Sequence, residues 1–419
     1  MLADRRTHEP VRHRPRGWTG HLAAMLSPMS AAAGTAALER DAAGRRDRLI
    51  RDGRDRLAQR RRPTRPRMRA LVVRPGGRVG FVSVPEPPAP APRAAVVRPL
   101  AMATCDMDRP LALGRTTFPL PLQLGHECVA EVLAVGADVA TVQPGQRVVV
   151  PFQISCGECA ACRAGLTGNC RAVPPISMYG FGVAGGHWGG VFSERLTVPF
   201  ADAMLVGLPD GVDPVSVASV ADTVCDGYRH IAPHLPAVLE RDPDAEVLIV
   251  AGLGRRPVFS ASSPLYAGQV ARLLGARRVT LVDRRPGVRA HAERLGLTAI
   301  PPAELRGRPG APLTLDMSAS SRGLWAALAH TAPDGVCSCA GVLHRGVRIP
   351  AGLMFARNVT LHLGRAHTRA VIPAVLDLVS RRGLRPQDVT TTVAPWEDAP
   401  AALREHVLGD ATKTIVTAG

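Results

Sequence analysis

The sequence predicts an α/β chain of two lobes, a doubly wound domain and a β-rich domain that carries a metal-binding cysteine loop. Three observations lead there. Residues 247–254, VLIVAGLG, read as a buried strand closed by a Gly-x-Gly turn, and a helical pattern and a second strand ending in an acid, RRVTLVD, follow. That order is the strand, turn, helix, strand unit of a parallel sheet. Four cysteines fall in one short loop, CGECAACRAGLTGNC. Upstream, MRALVV from Met68 and the Gly-rich pair ending in PGQRVVV have the apolar patterning of strands.

A chain of 419 residues exceeds one ordinary hydrophobic core, and 46% apolar with 21% charged residues suits a globular protein of two domains. No run of about 18 uncharged apolar residues occurs, and the first residues lack the charged-then-apolar order of a secretory signal. The expectation is a cytoplasmic protein without membrane contact. The formal charge of +17 resembles a nucleic-acid signature until it is divided: residues 1–67 hold 17 Arg against 7 acids, a net of +10, leaving +7 for the rest. This Arg-rich stretch has no usable period and several prolines, so it reads as a disordered extension. Without a recognisable motif among its arginines, nucleic acid is not the expected partner. A solvated tail, or sequence upstream of a functional start at Met68, fits better.

The cysteine loop sets Cys156, Cys159, Cys162 and Cys170 in a C-x2-C-x2-C-x7-C spacing. Four thiolates so close in sequence can close a tetrahedron around zinc with no open position, which is the arrangement of a structural site.

In the nucleotide segment, Gly252 and Gly254 supply two glycines of a G-x-G-x-x-G turn, but Pro257 stands where the third belongs. Ser263 is the candidate N-cap and Pro264 the first helical residue; Leu265, Val270, Leu273 and Leu274 form the apolar face, and Gly275 stops the helix. A longer loop still leaves helix N–H groups free for a phosphate, with Arg255 and Arg256 adding positive charge. Asp283, at the end of the next strand, is placed to accept the ribose hydroxyls of NAD, while Arg284 and Arg285 leave NADP open.

A Cys at 105, GHE at 125–127, PGQRV at 144–148, the four-cysteine lobe and WGGVFSERLTVPFADAML from 188 come in a fixed order. In that order the chain resembles the zinc-containing medium-chain dehydrogenase/reductase superfamily, of the alcohol dehydrogenase type, over roughly residues 68–419. The resemblance implies a GroES-like catalytic domain over 68–223, a Rossmann domain over 224–365 and a return to the catalytic domain over 366–419. It implies a catalytic zinc on Cys105, His126 and a third ligand within ASVADTVCDGYRH, with Glu127 beside the metal. Asp222 takes that third position, and Cys225 is the nearby competitor. The fourth coordination position is left for an alcohol or carbonyl oxygen.

By the same resemblance Gly252, Gly254, Leu265, Asp283 and Arg284 line the dinucleotide, Ala340, Gly341 and Val342 lie near its nicotinamide, and Lys413 reaches its pyrophosphate. A homo-oligomer, dimer or tetramer, is implied as well. The chain departs from the family where an alcohol proton is passed to solvent, since Met107 and Pro110 stand at the relay positions. Thr104, Asp226 and ordered water are the remaining candidates. Asp106 stands where a basic residue or Gly is common, and Asp108 matches the acid of that turn. The leading expectation is a zinc-dependent NAD(P) oxidoreductase interconverting an alcohol and an aldehyde or ketone, with a catalytic and a structural zinc. The alternative is a nonenzymatic zinc- and nucleotide-binding protein on the same scaffold.

Overall fold

The structure is a computed structural model that describes residues 65–116, 118–254, 259–341 and 346–418. The expected extension up to residue 64, the Arg255–Arg256 pair, Pro257 and Val342 lie outside the described residues.

The strand expected at Met68 is β1 (Arg67–Arg74), which pairs antiparallel with β2 (Arg78–Pro85) and with β4 (Leu122–Gln123). Its inner face, with Leu71 and Val73 wholly buried, packs into the core of the β-rich lobe. A larger sheet follows the order β15-β16-β3-β5-β6-β8, with β7 (Leu196–Val198) pairing to β3. Its members are β3 (Ala95–Ala103), β5 (Glu127–Val135), β6 (Arg147–Val150), β8 (Val206–Gly207), β15 (Thr392–Pro395) and β16 (Thr414–Thr417). Because β16 runs antiparallel beside β3, with Ile415 opposite Ala103, the last strand of the chain lies next to the strand that leads into Cys105.

The middle of the chain forms a separate six-stranded sheet in the order β11-β10-β9-β12-β13-β14, and all its pairs are parallel. It comprises β9 (Glu246–Gly252), β10 (Arg278–Asp283), β11 (Thr298–Ile300), β12 (Ala311–Asp316), β13 (Thr331–Cys339) and β14 (Thr360–Leu363). Numbered from β9, the order is 3-2-1-4-5-6, the doubly wound order whose direction of winding reverses beside β9 and opens a crevice at the carboxyl ends. Every residue of β9 is buried, as a central parallel strand with helices on both faces requires.

The helix after β9 covers Ser262–Leu273, two residues earlier than the Pro264 start read from sequence, with Gly275 just past its end at φ +105°. Its N-cap, Ala261, provides no side-chain bond. Cys337 and Cys339 are buried in the core on one face of this sheet. Among the described residues no helix is long and apolar enough to cross a membrane.

Candidate active site and metal centres

The thiol sulfurs of Cys156, Cys159, Cys162 and Cys170 lie within 4.8 Å of one another. Backbone N–H groups already point at them: Cys156 N–H toward Cys170 Sγ, Cys159 N–H toward Cys156 Sγ and Arg171 N–H toward Cys159 Sγ, each at 3.4 Å. The Arg171 N–H contributes most to lowering the Cys159 pKa to about 6. Amides aimed at sulfur stabilise thiolates, so this loop fits a closed four-thiolate zinc site.

A second cluster joins three distant segments. Cys105 follows β3, His126 and Glu127 open β5, and Asp222 lies between a short 3-10 turn and the helix Thr223–Ile231. One ligand atom from each of the four lies within 4.8 Å of the others. Asp222 Oδ2 is 3.6 Å from Cys105 Sγ and 3.3 Å from His126 Nε2. Gly125 makes the approach of His126 attainable: its φ is +91°, and a Cβ there would fall 2.1 Å from the Phe192 ring. Asp108 Oδ2 accepts the Cys105 N–H at 2.7 Å and so holds the turn that carries the thiol.

The electrostatics of this cluster call for a cation. Burial, and then the Asp222 and Glu127 carboxylates, push the Cys105 thiol well above its ordinary range. Burial alone would lower the His126 pKa, but Asp222, Asp108 and Glu127 outweigh it and raise it. A buried thiol, imidazole and carboxylate that resist sharing negative charge become compatible ligands once a divalent ion supplies the opposing charge. The donor set therefore fits zinc, with Cys105, His126 and Asp222 as ligands.

The cluster opens into a cleft of about 480 Å³. Its walls are mainly apolar, with Met107, Phe118, Phe152, Met178 and Phe181 around the metal residues, and Met317, Ala340 and Gly341 at the side of the parallel sheet.

Comparisons with known proteins agree with this geometry. The family model described as the alcohol dehydrogenase GroES-like domain matches residues 91–210, and the one described as zinc-binding dehydrogenase matches residues 265–381. The chain belongs to the zinc-containing medium-chain dehydrogenase/reductase superfamily. One relative is a probable zinc-binding alcohol dehydrogenase of Mycobacterium tuberculosis, 29% identical over 79% of this chain and 83% of that one. Another is a glutathione-independent formaldehyde dehydrogenase of Pseudomonas aeruginosa, 32% identical over 54% of this chain and 57% of its own length. Among solved structures, an alcohol dehydrogenase from Thermus sp. ATN1 superposes with a TM-score of 0.75 at 28% identity, covering 84% of this chain and all of that one.

Within this superfamily member several residues sit away from their expected neighbours. Cys225 is buried, and its thiol donates to the Val220 carbonyl at 3.0 Å, apart from the metal cluster that Asp222 joins. Lys413 is wholly buried against the metal cluster. Its Nζ lies 2.8 Å from Glu127 Oε2 and 2.5 Å from Thr223 Oγ1, and it also donates to the Thr104 carbonyl. Burial drives the Glu127 carboxyl up while Lys413 pulls it back down, and Glu127 in turn keeps Lys413 charged against its own burial. Leu265 is wholly buried in the hydrophobic core and offers no face to a ligand. Thr104 is also buried, bonded to Thr414, so it does not open a proton path to the cleft. Asp226 does line the cleft, 2.7 Å from Arg229.

At the nucleotide crevice Gly252 ends β9 so close to Asp283 that a Cβ would fall 2.5 Å from its carboxylate, whereas a Cβ on Gly254 would meet no described atom within 4 Å. Arg284 is exposed, but Asp283 is fully buried and already bound by Arg285 through Nε at 3.0 Å and Nη2 at 2.7 Å. Ser262 and Ser263, at the start of the helix, donate to Asp106. The crevice is thus open beside Met317, Ala340 and Gly341, and the start of the helix is filled by the chain's own groups. In the sequence Asp106 stands out only as an acid where a basic residue or Gly is common. The signal that could have located its partner is the run Ser260, Ser262, Ser263, which has donors and no local acid.

Proposed function

We propose that this chain is a zinc-dependent oxidoreductase that interconverts an alcohol and an aldehyde or ketone with a nicotinamide dinucleotide. The observation that carries the reading is the convergence of Cys105, His126 and Asp222 at the floor of an apolar cleft. Three ligands leave a position for a substrate oxygen, and zinc there would favour the alkoxide or polarise the carbonyl. A bound nicotinamide would supply or accept the hydride. Cys105, His126 and Asp222 hold the metal, and Asp108 fixes the Cys105 turn. Phe118, Phe152 and Phe181 exclude water from the reacting carbon, and their surface favours an alcohol or aldehyde with a bulky apolar substituent.

Asp226 lines the cleft and is a candidate proton acceptor there, since Met107 carries no proton, although against its burial Arg229 holds its carboxyl below the usual range. Asp283 at the end of β10 supports NAD as the dinucleotide once its carboxylate is released from Arg285, with NADP as the competing form because the exposed Arg284 stands beside it. The experiment is a zinc-replete screen of apolar alcohols and aldehydes with each cofactor, repeated after chelation and with Asp222→Ala. Turnover that depends on metal and Asp222 supports the reading, and turnover indifferent to both ends it.

A further inference from the structure

The helix Ser262–Leu273 begins where a parallel β-α-β unit normally presents its free N–H groups to a phosphate. Here those groups are engaged. Asp106 Oδ1 accepts the Ser262 N–H at 2.9 Å, the Ser262 hydroxyl at 2.7 Å and the Ser260 hydroxyl at 2.8 Å, and Oδ2 accepts the Ser263 N–H at 3.0 Å. One carboxylate thus takes four donors at the positive end of a helix of 12 residues, as a phosphate oxygen would. Asp106 comes from the other lobe, directly after the zinc ligand Cys105, and it lines the open cleft.

A second, independent contact engages the acid at the end of β10. Arg285 grips Asp283 and reaches across to the Phe259 carbonyl with Nη1 at 2.7 Å. Phe259 is thereby tied to the end of β10.

We propose that Asp106 is a specificity-determining residue: its carboxylate is an internal substitute for a dinucleotide's pyrophosphate, so the chain binds such a cofactor only by driving Asp106 off the helix terminus. The inference rests on the dinucleotide reading above for the identity of the competing anion. A diphosphate brought to Ser262 and Ser263 must break four charge-assisted bonds and lie beside a like charge. Affinity for phosphate-bearing ligands is therefore low in the native chain, while affinity for the nucleoside alone is unaffected. Asp106 also adjoins Cys105, so its departure moves the turn that carries a zinc ligand.

The test uses the full zinc-loaded chain and calorimetric titration with NADH, NADPH, ADP-ribose and adenosine. Asp106→Asn keeps the side chain's size and one acceptor oxygen, and Asp106→Gly removes both. Each variant is expected to bind NADH and ADP-ribose at least tenfold more tightly than the native chain, with adenosine changed less than twofold. Equal affinity for ADP-ribose, whether strong or undetectable, or weaker binding in the variants overturns the inference. A structure of the native chain with ADP-ribose does not depend on any variant folding. Asp106 should then have left Ser262 and Ser263, and a diphosphate bound beside undisturbed Asp106 bonds overturns the inference. Metal-dependent turnover by the native chain without tighter binding in the variants would sink this inference and leave the oxidoreductase reading standing. Tighter binding without turnover would do the reverse.

Discussion

Lys413 Nζ lies 2.8 Å from Glu127 Oε2 with both side chains wholly out of solvent, and the two residues are 286 positions apart in the chain. The pair ties the last strand of the chain to the start of β5 directly behind the metal ligands. Removing one partner leaves the other charge buried without an opposite. Lys413→Met is therefore expected to destabilise the fold by about 3–5 kcal/mol, and combining it with Glu127→Gln should recover much of that loss. Urea unfolding of the single and double variants checks this. A single-variant loss under about 1 kcal/mol would contradict a buried pair of this kind.

Asp222 and Cys225 separate cleanly by metal content. Asp222→Ala should lose one zinc per chain and its turnover, whereas Cys225→Ala should keep full zinc, because its thiol bonds the Val220 carbonyl away from the cluster. Elemental analysis of the purified variants decides it, and the opposite pattern would make Cys225 the ligand.

The four-cysteine loop should behave as a separate, structural unit. Cys159→Ala is expected to remove one zinc, lower the melting temperature and leave the Cys105 site able to take cobalt with its usual thiolate charge-transfer band. Loss of that cobalt spectrum together with the structural zinc would show that the two centres are not independent.

Gly125 offers a test of how His126 is positioned. A methyl group there meets both a left-handed backbone and the Phe192 ring 2.1 Å away. Gly125→Ala is expected to cost about 2–4 kcal/mol in unfolding free energy and to weaken zinc at the catalytic site. Retained stability would mean that the Phe192 ring moves aside freely.

Buried histidine sets part of the acid sensitivity. His230 is wholly buried with Nδ1 2.7 Å from Ser338 Oγ, and burial, followed by the Arg229 charge, depresses its pKa from 6.5 to about 3. The folded state therefore binds fewer protons than the unfolded state below pH 6.5, and this contribution to stability is lost progressively as pH falls toward the folded value. In that window His230 accounts for a slope of up to about 1.4 kcal/mol per pH unit. His230→Asn should flatten the dependence of unfolding free energy on pH by that amount, and an unchanged slope would contradict the assignment.

Local features were legible in the sequence and distant pairings were not. The cysteine loop needs only its own spacing, and β9 needs only its apolar run, so both were readable directly. Asp222 and Cys225 lie three residues apart on one turn, and only the fold decides which of them faces Cys105 and His126. Ser263 reads as an N-cap because serine so often is one. The helix instead takes its cap from Asp106, more than 150 residues earlier, and begins two residues sooner. Lys413 reads as a phosphate contact from the strand it precedes, but its partner Glu127 lies 286 positions away in the chain. Antiparallel pairing of β16 with β3 carries the lysine to that carboxylate, and no local pattern encodes such a pairing.

The most direct measurement of the central claim is hydride transfer between a nicotinamide cofactor and an apolar alcohol or aldehyde, followed in zinc-loaded protein, metal-free protein and zinc-loaded His126→Ala. Turnover confined to the zinc-loaded native chain, and restored to the metal-free protein by zinc, is the predicted result. Equal turnover in all three samples would contradict a zinc-centred oxidoreductase.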